Sequence, residues 1–233
     1  MDKQLIADLV AANRILFSEG VLDGFGHVSV RDPSNARRFW LARSMAAGLV
    51  EARDIMEFDL DGAPVSAKGR AVFLERFIHG EILRARPDVQ AVVHSHSPNL
   101  VPFGATSVKL KPLYHMTGFL GEGVPVFEIR KVAGSATNLL ITDNRLGKAL
   151  ARTLDDKPAA LMRGHGSVVV GQSLQQAVYR AIYMELNARL QSEAMRLGRV
   201  TYLTPEEARA GAAVNDRMLH RPWELWKRKA MEK

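Results

Sequence analysis

Three short stretches of this sequence combine residue types and spacings that can do chemistry. His94-Ser95-His96 ends the strand-like stretch Val89 to His94. Side chains on a strand alternate with period two, so the two imidazoles project on one side and can chelate a single divalent ion. Taken alone, such a pair is more commonly two hydrogen-bonded histidines at a strand end. Upstream, Glu75 and His79 stand four residues apart in a helix predicted over Val72 to Ala85, which must end before Pro87. At this spacing they lie about 40° apart on one helical face. Val72, Ile82 and Leu83 flank that stripe. This predicts a partly desolvated carboxylate with a raised pKa, as general acid/base work requires. Downstream, His165 stands between two glycines in Arg163-Gly164-His165-Gly166, ahead of three valines. Glycines there let the backbone approach a site closely.

The elements that position these groups follow from periodicity and punctuation. Apolar positions at helical spacing run from Leu5 to Phe17, and Gly20 stops that helix. His27 to Val30 and Phe39 to Leu41 read as strands joined by an Asp-Pro-Ser-Asn turn. Another helix is expected within Leu139 to Leu154, and strands at Ala159 to Met162 and Val168 to Val170. Ser173 with Gln176 forms a capping box for a long helix reaching towards Gly198. Thr204-Pro205-Glu206-Glu207 is a second box, with proline at the first helical position. Helices alternating with hairpin-like strands favour an α/β sandwich with a mixed or antiparallel sheet. No Pro/Gly/Ser-rich linker interrupts the chain, so residues 1–233 are read as a single domain with a basic C-terminal tail.

Composition narrows the partners. The chain has no cysteine, which excludes disulfides, thiolate ligands and cysteine nucleophiles and fits a reducing cytoplasm. Its +7 charge raises nucleic acid as a partner, but six Lys/Arg against three Asp/Glu in Asp216 to Lys233 carry +3 of it. The remainder shows no basic run, so neither nucleic acid nor membrane is expected as a partner. The opening MDKQLIADLV does not read as a signal peptide. Trp223 and Trp226 share a helical face in the tail and are expected to dock on a neighbouring subunit.

The order of the pieces resembles the class II aldolase/adducin family: Glu75-x-x-x-His79, then RPDVQAVVHSH, then LMRGHGSVVVGQSLQQAVYRAIYMELNARL. The resemblance implies that His94, His96 and His165 bind a divalent metal. It also implies that Glu75 is the acid/base and a possible fourth ligand. The implied fold is a class II aldolase-like sandwich, a mixed and largely antiparallel sheet between helices, assembled as a homotetramer or higher. Where sugar-phosphate aldolases of the family carry Gly-Asn-x-Ser and a small hydroxyl-rich loop, this chain has Gly26-His27-Val28-Ser29 and Leu41-Ala42-Arg43-Ser44-Met45. Arg43 suits a planar carboxylate, although a surface ion pair is its plainer role.

The patterns GHVSVR, RFWLARS, LERFIHGEIL and LYHMTGFLG look closest to the family's aromatic-acid decarboxylases. Those acting on 3-hydroxy-2-methylpyridine-4,5-dicarboxylate in vitamin B6 breakdown come first, and those acting on hydroxylated phthalates come next. The resemblance then implies a small anionic aromatic substrate, Mn2+ ahead of Zn2+, and Arg43 with Ser44 holding a second carboxylate. His79, His115, His27 and Arg163 are candidates for substrate contact, each as readily structural, and His220 is given no role. The rivals are a sugar-phosphate aldolase or epimerase on the same metal site, and a non-catalytic assembly module that would have lost the ligands.

Overall fold

In the computed structural model, which describes residues 2–232, chain order gives eight α-helices and seven strands. The helices are α1 (Lys3–Ser18), α2 (Arg76–Ala85), α3 (Val101–Ala105), α4 (Arg130–Ala133), α5 (Asn144–Leu154), α6 (Leu174–Leu197), α7 (Pro205–Asp216) and α8 (His220–Met231). The strands are β1 (His27–Asp32), β2 (Asn35–Ala42), β3 (Ile55–Asp59), β4 (Ala91–Ser95), β5 (Val126–Phe127), β6 (Ala159–Met162) and β7 (Gly166–Gly171). They form one sheet in the order β3-β2-β1-β4-β7-β6-β5, antiparallel throughout except for the β5–β6 pair. This is the expected mixed, largely antiparallel sheet between helices.

The sheet is buried on both faces, and strand alternation divides its core in two. Val28, Trp40, Val93 and Val169 join Leu9, Leu16, Val178 and Ile182 from α1 and α6. Phe39, Leu41, Val92 and Val168 join Ile78, Ile82, Leu146 and Leu150 from α2 and α5. The predicted caps are present, but the Ser173–Gln176 box has one arm only, because Gln176 Oε1 accepts from Gln172 N. The Ser173 hydroxyl accepts from Gln176 N, and Thr204 and Glu207 form both arms of a capping box. On the α6 side, buried amides hold an extended segment that has no strand partner. Asn187 accepts from Leu113 N and donates to Lys111 O, while Gln191 accepts from Lys111 N and donates to Lys109 O.

Two expectations need correction. The helix predicted from Val72 begins at Arg76, leaving Glu75 at its N-cap with φ −94° and ψ 19°. The preceding residues keep a non-helical path because tertiary contacts claim them. Ala71 O accepts from Ser44 N, and the Phe73 ring lies 4.5 Å from that of His27. The tryptophan tail docks on its own chain. Trp223 and Trp226 are buried in the core that contains α1 and α6, and Lys227 Nζ lies 2.7 Å from Asp8 Oδ1. An intramolecular apolar face was available, so no neighbour is needed to cover the indoles. Among the described residues no helix is long and apolar enough to cross a membrane.

A candidate metal centre at the strand ends

His94 lies at the end of β4, and His96 follows one residue beyond it. His165 sits in the turn between β6 and β7, and Glu75 caps α2. One ligand atom from each converges, all within 4.8 Å of one another. His94 Nε2 is 3.1 Å from His96 Nε2, which is 2.9 Å from His165 Nε2. Glu75 Oε2 is 3.4 Å from the Nε2 atoms of both His94 and His165. A tetrahedral ion with bonds of about 2.0–2.1 Å separates its ligands by about 3.3 Å, so these side chains already have the spacing of a coordination shell. Glycine permits the approach. A Cβ on Gly166 would overlap the Ser95 carbonyl, and one on Gly26, with φ +84°, would sit 2.9 Å from the His94 carbonyl.

The backbone orients the ligands. His94 Nδ1 is 3.0 Å from Ser167 O, and His165 Nδ1 is 3.0 Å from Leu139 O. Donation from each Nδ1 to a carbonyl fixes the tautomer whose Nε2 lone pair faces the ion. Glu75 Oε1 accepts from Ile141 N at 2.9 Å, which turns Oε2 towards the imidazoles. Leu139 and Ile141 therefore serve two ligands from one short segment, and Leu139 does so in the left-handed region at φ +70°. No residue type announces such backbone contacts, and neither residue is singled out by its sequence.

The raised pKa expected for Glu75 is not found. Burial pushes its carboxyl up, but the His165 and His94 imidazoles beside it outweigh that and hold it well below the ordinary carboxylate range. Burial and the neighbouring imidazoles lower His96 to about 4. The centre thus gathers one carboxylate and three imidazoles, a donor set suited to a divalent cation.

The other candidates are distributed unevenly. His27 is the register partner of His94, with ring centroids 5.1 Å apart. His79 is fully buried beneath them, its Nε2 2.6 Å from His27 Nδ1 and its Nδ1 2.6 Å from the Ser29 hydroxyl. With both ring nitrogens engaged, His79 is a support for His27 and has none left for a substrate. Burial, followed by repulsion from His94, lowers His79 to about 3. Arg43 spends Nε on Asp54 Oδ1 at 2.7 Å, and its neighbour Ser44 is tied to Ala71 two residues before Phe73. Arg163 turns to Glu128, with Nε 2.7 Å from Oε2, so one of its guanidinium nitrogens is committed to that carboxylate. His115 opens a 3-10 turn that packs on α7, where its carbonyl accepts from Asn215, so it is not among the residues gathered here. The sequence reading missed the apolar surroundings. Phe25 is 70% exposed with its ring 6.3 Å from that of His96, and Leu74, beside Glu75, is 63% exposed.

Residues 7–192 match the family described as Class II Aldolase and Adducin N-terminal domain. The chain belongs to this family. Among curated proteins it is 37% identical to "Decarboxylase tropJ" of Talaromyces stipitatus, over 96% of this chain and 92% of the other. It is 31% identical to "3,4-dihydroxyphthalate decarboxylase" of Arthrobacter keyseri, over 82% and 78% respectively. Its fold is similar to that of an L-fuculose 1-phosphate aldolase from Glaciozyma antarctica, with a TM-score of 0.81, 24% identity and coverage of 98% and 89%. Family membership and geometry agree on a candidate metal centre, and the relatives are named for decarboxylation.

Proposed function

We propose that this chain is a divalent-metal-dependent carboxy-lyase that removes CO2 from a hydroxylated aromatic dicarboxylate. One observation carries the reading. The converging His94, His96, His165 and Glu75 atoms have the Phe25 ring 6.3 Å from that of His96, and the Phe73 ring 4.5 Å from that of the adjoining His27. Apolar walls of this kind accept the face of an aromatic ring. A sugar-phosphate aldolase needs small hydroxyl-bearing loops there. The relatives' names move the first choice of substrate from the pyridine dicarboxylate to a dihydroxyphthalate. The pyridine acid stays in the same chemical class.

His94, His96 and His165 would hold the ion, manganese first and zinc second, with Glu75 as a possible fourth ligand. When bound, the ion supplies Lewis-acid stabilisation for the electron pair left on the ring as CO2 departs. Glu75 starts ionised, so it acts as a base first. Oε2 takes up the proton that the substrate hydroxyl surrenders on binding. Once the carbon–carboxylate bond has broken, Glu75 returns a proton to the vacated ring carbon, and the carboxylate is regenerated. Arg43, with Ser44, would hold the second carboxylate through the guanidinium nitrogens that Asp54 leaves free. The reading includes a homotetramer, which would cover the exposed Phe25 and Leu74 beside the site. Light scattering in solution measures that state.

The test is CO2 release by purified protein loaded with Mn2+ or Zn2+. The substrates are 3,4-dihydroxyphthalate, the pyridine dicarboxylate and L-fuculose 1-phosphate. Release from an aromatic acid is expected. Aldol cleavage of the sugar phosphate, with no CO2 from any aromatic acid, would overturn the proposal.

A further inference from the structure

Behind the metal ligands runs a buried hydrogen-bonded chain whose direction can be deduced. Ser29 and His79 are both fully buried, and His27 is 3% exposed. The Ser29 hydroxyl is 2.6 Å from His79 Nδ1, and His79 Nε2 is 2.6 Å from His27 Nδ1. The Phe73 ring covers His27, and Phe39 stacks on His79 with centroids 6.2 Å apart, so water has little room to join. A neutral imidazole carries one proton, which leaves two possible polarities.

If protons pointed inward, His27 would donate to His79 and His79 to Ser29. The serine hydroxyl proton would then need an acceptor of its own. Among the described residues His79 is the hydroxyl's one hydrogen-bond partner, so that proton would be stranded in a dry interior. The outward polarity satisfies every group between Ser29 and His27 Nδ1 and leaves its one open donor at the end of the chain nearest the site. Ser29 donates to His79 Nδ1, His79 Nε2–H donates to His27 Nδ1, and the proton of His27 resides on Nε2, the ring nitrogen without a protein partner.

We infer that Ser29 and His79 are positioning residues that lock His27 as a neutral Nε2–H donor beside the metal centre, aimed at an anionic or carbonyl oxygen of the ligand. His27 is thereby unable to accept a proton from substrate at Nε2 without breaking the chain behind it. This assigns proton uptake to Glu75 alone. The role given to the donor in turnover rests on the proposed decarboxylation, whereas the polarity itself stands on the hydrogen bonds.

The test is a long-range 1H–15N correlation spectrum of histidine-labelled, zinc-loaded protein. Wild type should show His27 and His79 each protonated on Nε2 with a bare Nδ1. Ser29→Ala should place both rings in mixed tautomers, and Ser29→Thr, which keeps the hydroxyl, should restore the single state. Protonation of His27 on Nδ1 in the wild type overturns the inference with no variant needed. Tautomers unchanged in Ser29→Ala would overturn it too. In turnover, Ser29→Ala should lower kcat about tenfold with metal content and KM little changed, and Ser29→Thr should recover it. An unchanged kcat in Ser29→Ala would remove the positioning role. Should no aromatic acid lose CO2 in the wild type, the functional reading fails, and the spectrum still decides the polarity.

Discussion

The two faces of the central sheet are built by the same strand alternation and put to different uses. On the α1/α6 face, β1, β4 and β7 contribute Val28, Val93 and Val169 to an apolar core, and its polar groups serve structure. Asn187 and Gln191 there hold backbone that has no strand partner. On the α2/α5 face, one residue out of step, β4 and β7 contribute Val92 and Val168, and the end of the sheet nearest the site carries His27 and Ser29 of β1 with His94 of β4. That second face buries imidazoles at the cost of stability, and the return is a set of fixed lone pairs. Position along a strand therefore sets the role: apolar where helices cover the sheet, polar where the strand ends open onto the site.

This contrast can be broken in graded steps. His165→Ala is expected to have the largest effect, a loss of more than ~100-fold in metal affinity with the fold retained. Elemental analysis after dialysis measures it, and stoichiometric metal in the variant would remove His165 from the ligand set. Glu75→Gln should keep the metal while kcat falls by about 10²–10⁴-fold, a split that separates proton transfer from ligation. On the opposite face, Trp226→Ala should cost about 3–5 kcal/mol in urea unfolding while the folded protein still takes up metal. Loss of the site in that variant would erase the distinction between the faces.

A subtler difference lies in pH. His79 stays neutral in the folded chain down to about 3, against an ordinary value of 6.5, so the unfolded chain binds the extra proton first. Stability should accordingly rise with pH across that window and fall as acid is added. Urea melts of metal-free protein between pH 7 and pH 4.5 should show the slope, and His79→Phe should flatten it. The smallest effect is expected at the mouth of the site. Arg43→Lys should raise KM about tenfold with kcat nearly unchanged, because a point charge replaces a planar fork already half committed to Asp54.

Much of this was legible in the sequence for a physical reason. Strand ends, caps and ligands are written in residue types: Ala159–Met162 forms a strand with the bounds its composition predicts, and Ser173 and Thr204 cap their helices. His94, His96 and His165 came from spacing joined to family resemblance, and they converge. What stayed hidden depends on partners distant in the chain. β3 has too weak an alternation to stand out, with Met56 buried beside Ile55. The start of α2 was set by Ser44 and His27, far upstream. The depressed pKa of Glu75 follows from imidazoles that arrive from two other elements, and the apolar flank visible in the sequence pointed the opposite way.

Leu139 and Ile141 carry a consequence for how this site tolerates change. Their contacts to His165 and Glu75 come from a carbonyl and an amide, so exchanging one side chain for another leaves both atoms in place. Chain length is different. A single glycine inserted between Thr137 and Thr142 shifts the register of carbonyl and amide together, unfastening two ligands while every histidine and Glu75 remains in the sequence. The centre is thereby tolerant of spelling changes in this segment and intolerant of an added letter.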